Sequence, residues 1–433
     1  MSMLTRSVLA LGAPVFGASG RSGISAGVRG YADLGGKSYA EDEWTNVTPA
    51  IAQLVGRDLH LNASHPVGIL RQRIEERLKP LGFTPFNQFK PVVSVHDNFD
   101  ALGFPADHPG RSKSDTYYAN KDTLLRTHTS AHEIECFQSS PTPGYLISAD
   151  VYRRDSVDRT HYPAFHQMEG ARTWSTAEPD LVGRLRRDLE AIPRPRNFVV
   201  EDPHPPFHAG NPKQANQSDE VTELLGQNLK RTVELLMADL FQTDDVVKAR
   251  WIEAYFPWTS PSWEIEIWWN GEWLEMCGCG VVQHQVYKNA GMPDNVGWAF
   301  GIGLERAAMI LFGIPDIRLF WSQHPKFLSQ FRPGEISRFE PWSKFPSTSR
   351  DVAFWNTTGL HENDVMEIVR NEGGDLVESV SLVDEFTHPK TGKTSLCYRV
   401  NYQSMDHTLT SDEPNAIQEH IVEALRTRGA EIR

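Results

Sequence analysis

The sequence predicts an α+β protein with a large domain built on an antiparallel sheet and a smaller C-terminal domain. Two observations predict the large sheet. Residues 263–275 alternate like a hairpin, and residues 145–152 and 167–174 have the composition of two further strands. A third observation predicts the small domain, because residues 351–427 follow the order strand, helix, strand, strand, helix. A chain of 433 residues is long enough for two or three domains.

The N-terminus differs in composition from the rest of the chain. It contains Arg6, Arg21 and Arg29 and many serines, but no acidic residue before Asp33. A basic, serine-rich and acid-poor N-terminus is typical of an organelle transit peptide. We therefore expect residues 1–32 to direct the protein to the mitochondrial matrix and to be removed near their end. An untargeted tail is the alternative.

The overall composition excludes several other kinds of protein. With 39% hydrophobic and 23% charged residues the chain is typical of a globular protein, and no apolar run reaches the ~18 residues of a membrane span. The net charge of −13 predicts no general attraction to nucleic acid, so any RNA contact must come from local patches. Four cysteines are too few for a disulfide framework, and Cys277 and Cys279 lack a second ligand pair for zinc.

Local patterns predict the elements of the large domain in chain order. An amphipathic helix spans about 67–82, because Val67, Leu70, Ile74 and Leu78 fall on one face. Strands are predicted at 145–152 and 167–174, and helices at 178–191 and 218–242, with a surface insertion at 192–217. Asn270-Gly271 after an alternating run predicts a two-residue hairpin turn, and a helix is predicted from Gly301 to Leu311.

The small domain is predicted to be a β-α-β-β-α-β sandwich, and the pattern changes at about residue 335. We expect the large domain to span 33–335 and the small one 340–433. The predicted elements are a strand at 351–355, a helix at 362–372, strands at 378–386 and 395–403, and a helix at 414–427.

Three strings of residues suggest a function when they are taken together. They are Asp150-Val151-Tyr152-Arg153-Arg154-Asp155, Phe165-His166-Gln167-Met168-Glu169-Gly170 and Gly301-Ile302-Gly303-Leu304-Glu305-Arg306. In this order they resemble the ATP and amino-acid site of the class II aminoacyl-tRNA synthetases, and the second string resembles their phenylalanyl branch. Asn98-Phe99-Asp100-Ala101-Leu102 matches the same branch. The resemblance covers about residues 60–433.

The resemblance implies a class II antiparallel-sheet catalytic domain followed by a ferredoxin-like anticodon-binding domain. It implies an ATP-dependent ligase that attaches phenylalanine to tRNA(Phe) through a phenylalanyl-adenylate, for mitochondrial protein synthesis. ATP and Mg²⁺ are the implied cofactors, and tRNA(Phe) and L-phenylalanine are the implied partners. Relatives of this architecture act as monomers, and no membrane partner is expected.

The resemblance also implies which residues bind ATP. Arg153 matches the arginine of the α-phosphate, where a guanidinium can form paired hydrogen bonds with phosphate oxygens. Phe165 and Arg306 match the two walls of the adenine site, and His161 matches a contact with the distal phosphates. Asp155 corresponds to an acidic position near the adenine edge. Arg153, His161 and Arg306 would be catalytic, although each residue alone would be an ordinary surface or core residue.

A second set of residues is implied to hold the amino acid. Gln167 and Glu169 alternate along a predicted strand and therefore face the same side, where they suit an α-ammonium group. His128 and Ser130 match contacts with the polar end of the substrate. The alternative for such residues is ordinary strand and loop polarity.

The ring of the substrate is implied to lie between Phe256 and Trp258. The family usually has phenylalanine where Trp258 stands, so the pocket must adjust to a larger ring. Ala299 matches a small residue at the pocket base, and we expect tyrosine to be rejected only weakly. Glu275 is the implied Mg²⁺ ligand, with a plain strand-face acid as the alternative.

Two further interpretations concern glycine and tyrosine residues. Gly301-x-Gly303 lacks the third glycine of a dinucleotide site, and close packing of a strand against a helix is the expected reason for both glycines. Residues 340–433 carry nine basic and sixteen acidic residues, which argues against a broad phosphate-binding face. Tyr398 and Tyr402 share one strand face and are predicted either to stack an anticodon base or to pack in the core.

Two rival functions remain at this point. One is a non-catalytic RNA-binding or regulatory relative that kept the scaffold, but such a protein should have lost Arg153, Gln167, Glu169 or Arg306, and all four are present. The other is a ligase for a different large amino acid, which Trp258 keeps open.

Overall fold

The protein is described from a computed structural model in which residues 30–241, 246–341, 345–404 and 407–433 are defined. The predicted targeting segment lies outside these residues except for its last three, and Tyr31 and Ala32 already belong to the first strand. Among the helices of the described ranges, none has the length and apolar character needed to cross a bilayer.

Strands and helices of the described residues are interspersed along the chain, as in an α+β protein. The strands are β1 (Tyr31–Leu34), β2 (Lys37–Ala40), β3 (Phe83–Phe86), β4 (Val92–Ser94), β5 (Tyr118–Asn120), β6 (Thr123–Leu125), β7 (Gly144–Tyr152), β8 (Ala164–Ser175), β9 (Phe198–Glu201), β10 (Val247–Glu253), β11 (Thr259–Trp269), β12 (Glu272–Val282), β13 (Asn295–Gly303), β14 (Thr348–Trp355), β15 (Val377–Thr387), β16 (Thr394–Tyr402) and β17 (Glu431–Ile432). The α-helices are α1 (Pro49–Ala52), α2 (Pro66–Leu78), α3 (Val95–Asn98), α4 (Glu133–Ser139), α5 (Leu181–Ala191), α6 (Asp219–Leu240), α7 (His284–Asn289), α8 (Leu304–Phe312), α9 (Pro325–Leu328), α10 (Glu362–Gly373) and α11 (Asp412–Thr427).

The large domain is organised around an eight-stranded sheet with the order β3-β7-β8-β13-β12-β11-β10-β9. Its six inner strands pair antiparallel, and only the two edge strands, β3 and β9, pair parallel to their neighbours. One face of this sheet packs against α2, α6 and α8 in the main hydrophobic core. The other face is covered in part by α4 and α7, in a smaller cluster that includes Tyr145 and Ala299.

The first long helix forms where the sequence predicts it. Helix α2 begins at Pro66, whose missing N–H suits the first helical position, and the His65 side chain accepts a hydrogen bond from the Val67 N–H. Its buried face contains Leu70 and Ile74. The chain ends this segment at Gly82, which has a φ of 85°.

The β11–β12 hairpin turns at Asn270 and Gly271, with φ values of 49° and 96°. Positive φ at both turn positions matches the twist of the two strands, which confirms the predicted two-residue turn. The strands extend well beyond the predicted segment and reach Thr259 and Val282.

The insertion at 192–217 is not merely a surface loop. It contains β9, which adds a parallel edge to the central sheet. Asn211 also exchanges two hydrogen bonds with the Ser262 backbone, at 2.9 and 2.8 Å. Gln214 donates to the Val282 carbonyl at 3.0 Å and accepts from the His284 N–H at 2.7 Å. The insertion therefore fixes the start of β11 and the end of β12.

The C-terminal domain has the predicted β-α-β-β-α-β order, with β14–β17 arranged as β15-β16-β14-β17. Helices α10 and α11 pack on one face of this sheet in a separate hydrophobic core. Tyr398 and Tyr402 belong to that core, with exposed fractions of 2% and 0%. The prediction that they could stack an anticodon base is therefore wrong, and the core alternative is correct.

The two domains contact each other through a buried acidic residue of α10. Glu367 accepts hydrogen bonds from the Tyr117 hydroxyl at 2.6 Å and from Arg370 at 2.7 Å, and Thr48 donates to its other oxygen at 3.3 Å. Arg154 adds an ion pair to Asp364 at 3.0 Å. The contact at Glu367 is thus polar and buried, and Val157 of the large domain adds an apolar contact with the C-terminal core.

Candidate active site

A cavity of about 390 Å³ opens on the face of the central sheet opposite α2, α6 and α8. This volume falls in the range of pockets for small molecules and cofactors. Residues from positions 128 to 317 meet there, and all the residues predicted to form the site lie on its walls. They are His128, Ser130, Arg153, Asp155, His161, Phe165, Gln167, Glu169, Phe256, Trp258, Glu275, Ala299 and Arg306.

Glycines form part of the cavity floor. In the β8–β13 register Gly301 lies opposite Glu169 and Gly303 opposite Gln167. A Cβ atom added to either glycine would have no neighbour within 4 Å. The expectation that these glycines allow a helix to pack closely is therefore wrong, because their missing side chains leave the cavity open. Gly301 and Gly303 also end β13 rather than begin the following helix, which starts at Leu304.

One end of the cavity combines an aromatic ring with two guanidinium groups. Arg153 follows β7, and its Nε donates to the Thr127 carbonyl at 2.8 Å. Its guanidinium carbon lies 5.3 Å from the centre of the Phe165 ring. Arg306 at the start of α8 donates to the Glu275 carbonyl at 3.1 Å and leaves 48% of its side chain exposed. An aromatic face and an arginine can enclose a planar heterocycle.

A histidine whose protonated form is favoured lies beside this end. His161 is bonded through Nδ1 to the Asp158 carboxylate at 2.7 Å, and that hydrogen bond raises the pKa of His161. Because protonation is favoured, His161 carries positive charge over a wider pH range than a free imidazole. Such a charge suits the outer phosphates of a nucleotide.

A buried pair joins the two walls of this end. The Glu305 carboxylate accepts from the His166 N–H at 2.7 Å and lies 2.6 Å from His166 Nδ1. The two side chains are 0% and 2% exposed. His166 follows Phe165 on β8, and Glu305 precedes Arg306 on α8. The contact between His166 and Glu305 therefore fixes the distance between Phe165 and Arg306. The pair was not predicted because its partners are 139 positions apart, although both residues belong to the quoted strings.

We expect Glu305→Gln to raise the KM for ATP by about tenfold, because a charge-assisted hydrogen bond contributes roughly 1.5–3 kcal/mol. The KM for the amino acid should change less than threefold. Initial rates of ATP–pyrophosphate exchange at varied ATP would measure the effect, with exposed Glu272→Gln as the matched control. Equal increases in both KM values would show that Glu305 does not act on the nucleotide end.

The opposite end of the cavity holds a buried carboxylate with three donors. Glu169 accepts hydrogen bonds from the hydroxyls of Ser130, of Thr129 at 3.1 Å and of Tyr145 at 3.1 Å. Burial raises its pKa to about 7. Gln167 points to the same side and accepts from the Thr129 N–H at 3.3 Å. This end offers a negative charge and an amide, which suit an ammonium group.

The pKa of Glu169 predicts a pH dependence for amino-acid binding. Since this pKa is raised to about 7, the carboxylate is charged above that pH and loses its charge as the pH falls. We expect kcat/KM for the amino acid to fall about tenfold per pH unit well below 7, because the ionised fraction of Glu169 falls about tenfold with each unit. Exchange rates between pH 5.5 and 8.5 would test this. A flat profile down to pH 5.5 would contradict it, and Glu169→Gln should remove the dependence.

His128 is a neutral wall of the same end. Burial, with Arg153 as a second cause, lowers the pKa of His128 to about 3, so the ring is uncharged at neutral pH. Its ring lies 5.6 Å from Phe104 and 5.2 Å from Trp258. A neutral imidazole adds no charge that would repel an ammonium group.

An apolar pocket continues from the ammonium end. The rings of Phe256 and Trp258 lie 5.7 Å apart at 40°. Ala299 is buried at the base, and a Cβ atom on Gly278 would lie 2.7 Å from the Phe256 ring. Gly278 was not predicted, and it is needed because the Phe256 ring lies directly against its backbone. Trp258 rests against Phe104 at 5.3 Å, which shows how the larger ring is accommodated.

A divalent cation would have few protein ligands here. Glu275 lies on the cavity wall with 52% of its side chain exposed, 3.7 Å from Arg306. Throughout the described ranges, no three His, Cys, Asp or Glu side chains are grouped to hold a metal. Glu275 could ligate a cation whose other ligands are nucleotide phosphates and water.

Asp155 and its neighbour connect the cavity to the C-terminal domain. Asp155 lines the cavity, and its carbonyl accepts from Arg370 at 2.7 Å. Arg154 instead donates to the Lys113 carbonyl at 2.6 Å and pairs with Asp364. The two consecutive arginines therefore have different surroundings. Arg153 lines the cavity, whereas Arg154 contacts the C-terminal domain.

Comparison with known proteins identifies the family of the chain. Residues 51–176 and 220–331 match the family model of the tRNA synthetase class II core domain (F), and residues 343–433 match the ferredoxin-fold anticodon binding domain. The chain is 51% identical to the mitochondrial phenylalanine–tRNA ligase of Saccharomyces cerevisiae, over 91% of this chain and 93% of that protein. It is 41% identical to the mitochondrial enzyme of Mus musculus, over 95% and 92%. Identity to the chloroplastic/mitochondrial enzyme of Arabidopsis thaliana is 40%, over 90% and 84%.

Proposed function

The chain belongs to the phenylalanine–tRNA ligases of class II, and from this premise we propose how its cavity performs the reaction. The protein attaches phenylalanine to tRNA(Phe) in an ATP-dependent reaction. One observation carries the assignment of the site: a buried carboxylate beside an aromatic pocket shares one cavity with an aromatic–arginine pair. The first end suits phenylalanine, and the second end suits ATP.

At the amino-acid end, the ammonium group is held by Glu169 and Gln167. The phenyl ring enters the pocket between Phe256 and Trp258, above Ala299. His128 and Ser130 line the polar part of this end. These contacts direct the substrate carboxylate toward Arg153 and the nucleotide. Positioning of this kind lowers the barrier because the reacting groups no longer have to find each other in solution.

At the nucleotide end, adenine lies between Phe165 and Arg306. Arg153 binds the α-phosphate and stabilises the charge that develops when the phenylalanine carboxylate attacks and pyrophosphate leaves. His161 contacts the departing phosphates, and Asp155 lies near the adenine edge. In the second step a tRNA hydroxyl attacks the carbonyl carbon of the adenylate, and AMP leaves.

The reaction uses ATP with a divalent cation, and we propose Mg²⁺. The cation would neutralise phosphate charge as pyrophosphate leaves. Glu275 would be its protein ligand. We also propose that the protein is a monomer and that it acts in the matrix of the mitochondrion, after loss of the segment around residues 1–32. The mitochondrial names of its relatives and the composition of that segment support this location.

The test is amino-acid-dependent ATP–pyrophosphate exchange with phenylalanine, tyrosine, tryptophan, leucine and histidine. Phenylalanine should have the highest kcat/KM. Tyrosine should be used at roughly a hundredth of that efficiency, because an apolar pocket rejects an added hydroxyl only weakly. A higher value for another amino acid would establish the rival ligase. A folded protein without exchange would establish the non-catalytic relative.

A further inference from the structure

Residues 126–128 follow β6 and form neither a helix nor a strand. Because the repeating hydrogen bonds of a regular element do not hold this segment, its position depends on individual contacts. Thr127 lies at its centre, and the Thr127 carbonyl accepts the hydrogen bond from Arg153 Nε at 2.8 Å. The orientation of the Arg153 guanidinium at the nucleotide end of the cavity therefore depends on what fixes Thr127.

Asn98 fixes Thr127 through both ends of its side-chain amide. It is the last residue of α3, and its exposed fraction is 0%. Its amide nitrogen donates to the Thr127 hydroxyl at 2.9 Å, and its amide oxygen accepts from the Thr127 N–H at 3.0 Å. Turning the amide over would place its nitrogen against the Thr127 N–H, which is also a donor, so the two bonds select one orientation. One buried side chain thus fixes both the position and the rotation of Thr127.

A separate anchor holds the preceding residue, Arg126, whose exposed fraction is 1%. Arg126 forms an ion pair with Asp150 of β7 and donates from Nε to the Asp150 carbonyl at 2.6 Å. Arg126 thus ties the segment to β7, whereas Asn98 contacts Thr127 itself. Since Thr127 in turn holds Arg153, one residue separates Asn98 from the guanidinium in this series of hydrogen bonds.

We propose that Asn98 is a positioning residue for adenylate formation: it holds Thr127, and Thr127 holds the Arg153 guanidinium in the orientation that the α-phosphate needs. This inference rests on the role proposed above for Arg153. Asn98 is not among the described residues that line the cavity, so it acts on the reaction through Thr127. A guanidinium binds phosphate oxygens through paired hydrogen bonds, so a change in the plane of the group weakens both bonds.

The first test is phenylalanine-dependent ATP–pyrophosphate exchange by the full chain carrying Asn98→Ala. We expect kcat to fall roughly ten- to hundredfold, because displacing a group at the reacting centre by about 1 Å can cost about a hundredfold. The KM for phenylalanine should change by less than about threefold, since Glu169 keeps its hydrogen bond from Tyr145 on β7. A kcat for Asn98→Ala within about threefold of wild type would overturn the proposal.

Combining this change with Arg153→Ala separates positioning from general damage. If Asn98 acts through Arg153, Asn98→Ala should lower kcat by less than about twofold once Arg153 is absent, because coupled residues are not additive. A purely structural loss would lower kcat by the same factor in both backgrounds, and that result would overturn the proposal. If Asn98→Ala does not fold, Thr127→Val replaces it in the same comparison, because this change removes the hydroxyl that Asn98 contacts and keeps the backbone. Thr127→Ser retains the hydroxyl and should keep most of the wild-type kcat.

Asn356→Ala is the matched control for the loss of a paired amide. Asn356 exchanges two hydrogen bonds with the Leu360 backbone in the C-terminal domain, at 3.0 and 2.7 Å. This variant should lower the melting temperature, as Asn98→Ala should, but leave the exchange kinetics unchanged. An equal loss of kcat in Asn356→Ala would overturn the proposal. A wild-type kcat in Arg153→Ala would instead refute the role proposed for Arg153 itself, so the two failures are distinguishable.

Discussion

Replacing Arg153 by alanine is expected to lower kcat/KM for phenylalanine-dependent ATP–pyrophosphate exchange by about 10²- to 10³-fold. In the described part of the chain, the Arg153 side chain donates one hydrogen bond to protein, from Nε to Thr127. The two terminal amino groups are therefore available for the α-phosphate and the attacking carboxylate. Their charge matters most in the transition state, so kcat should fall more than the substrate KM values rise.

The variant should remain folded, because Arg153 is exposed and its loss opens no core. Arg153→Lys should recover only part of the rate, since an ammonium group lacks the paired geometry of a guanidinium. Arg187→Ala on α5 is the neutral control, with a side chain 61% exposed. If Arg153→Ala kept more than a third of the wild-type rate, the α-phosphate role of Arg153 would be wrong.

Replacing Glu169 by glutamine is expected to raise the KM for phenylalanine by roughly a hundredfold, while the KM for ATP stays within about threefold. Removing one partner of a buried, hydrogen-bonded charge pair costs about 2–5 kcal/mol. The amide has the size of the carboxylate, so the pocket keeps its shape and only the negative charge is lost. Exchange at saturating ATP and varied phenylalanine would measure the change.

Tyr145→Phe is the companion variant for Glu169. It removes one donor to the carboxylate but leaves the charge and the donors from Ser130 and Thr129, so we expect the KM for phenylalanine to rise by only about tenfold, since a hydrogen bond to a charged group contributes roughly 1.5 kcal/mol or somewhat more. A loss in Tyr145→Phe as large as in Glu169→Gln would mean that the arrangement of the network, rather than its charge, binds phenylalanine.

Local patterns predicted those features that depend on neighbouring residues. The alternation of Gln167 and Glu169 placed both on one strand face, and Asn270-Gly271 predicted the hairpin turn. Both depend on short-range backbone geometry, which a sequence shows directly. The cavity residues that lie far apart in the chain were predicted from the family resemblance and not from local patterns. Their placement on one cavity agrees with the predicted roles, which stay predictions until variants are measured.

Features that depend on distant pairing were missed or misjudged. The alternation along β16 correctly assigns Tyr398 to one face of the strand. Whether that face is buried depends on where α10 and α11 pack. Gly301 and Gly303 were misjudged as packing residues. Their position at the cavity depends on the register between β13 and β8, which the local sequence does not show. The parallel edge strand β9 has no local signal, since its partner is about fifty residues away.

The polar contact around Glu367 has a consequence for the cooperativity of unfolding. Separating the domains would break the hydrogen bonds that the Thr48 and Tyr117 hydroxyls donate to Glu367, and a hydrogen bond to a charged group contributes roughly 1.5–3 kcal/mol. We therefore expect both domains to melt in one calorimetric transition. A ligand that binds only the catalytic cavity would then raise the melting temperature of the C-terminal domain as well, since it stabilises the folded state that both share.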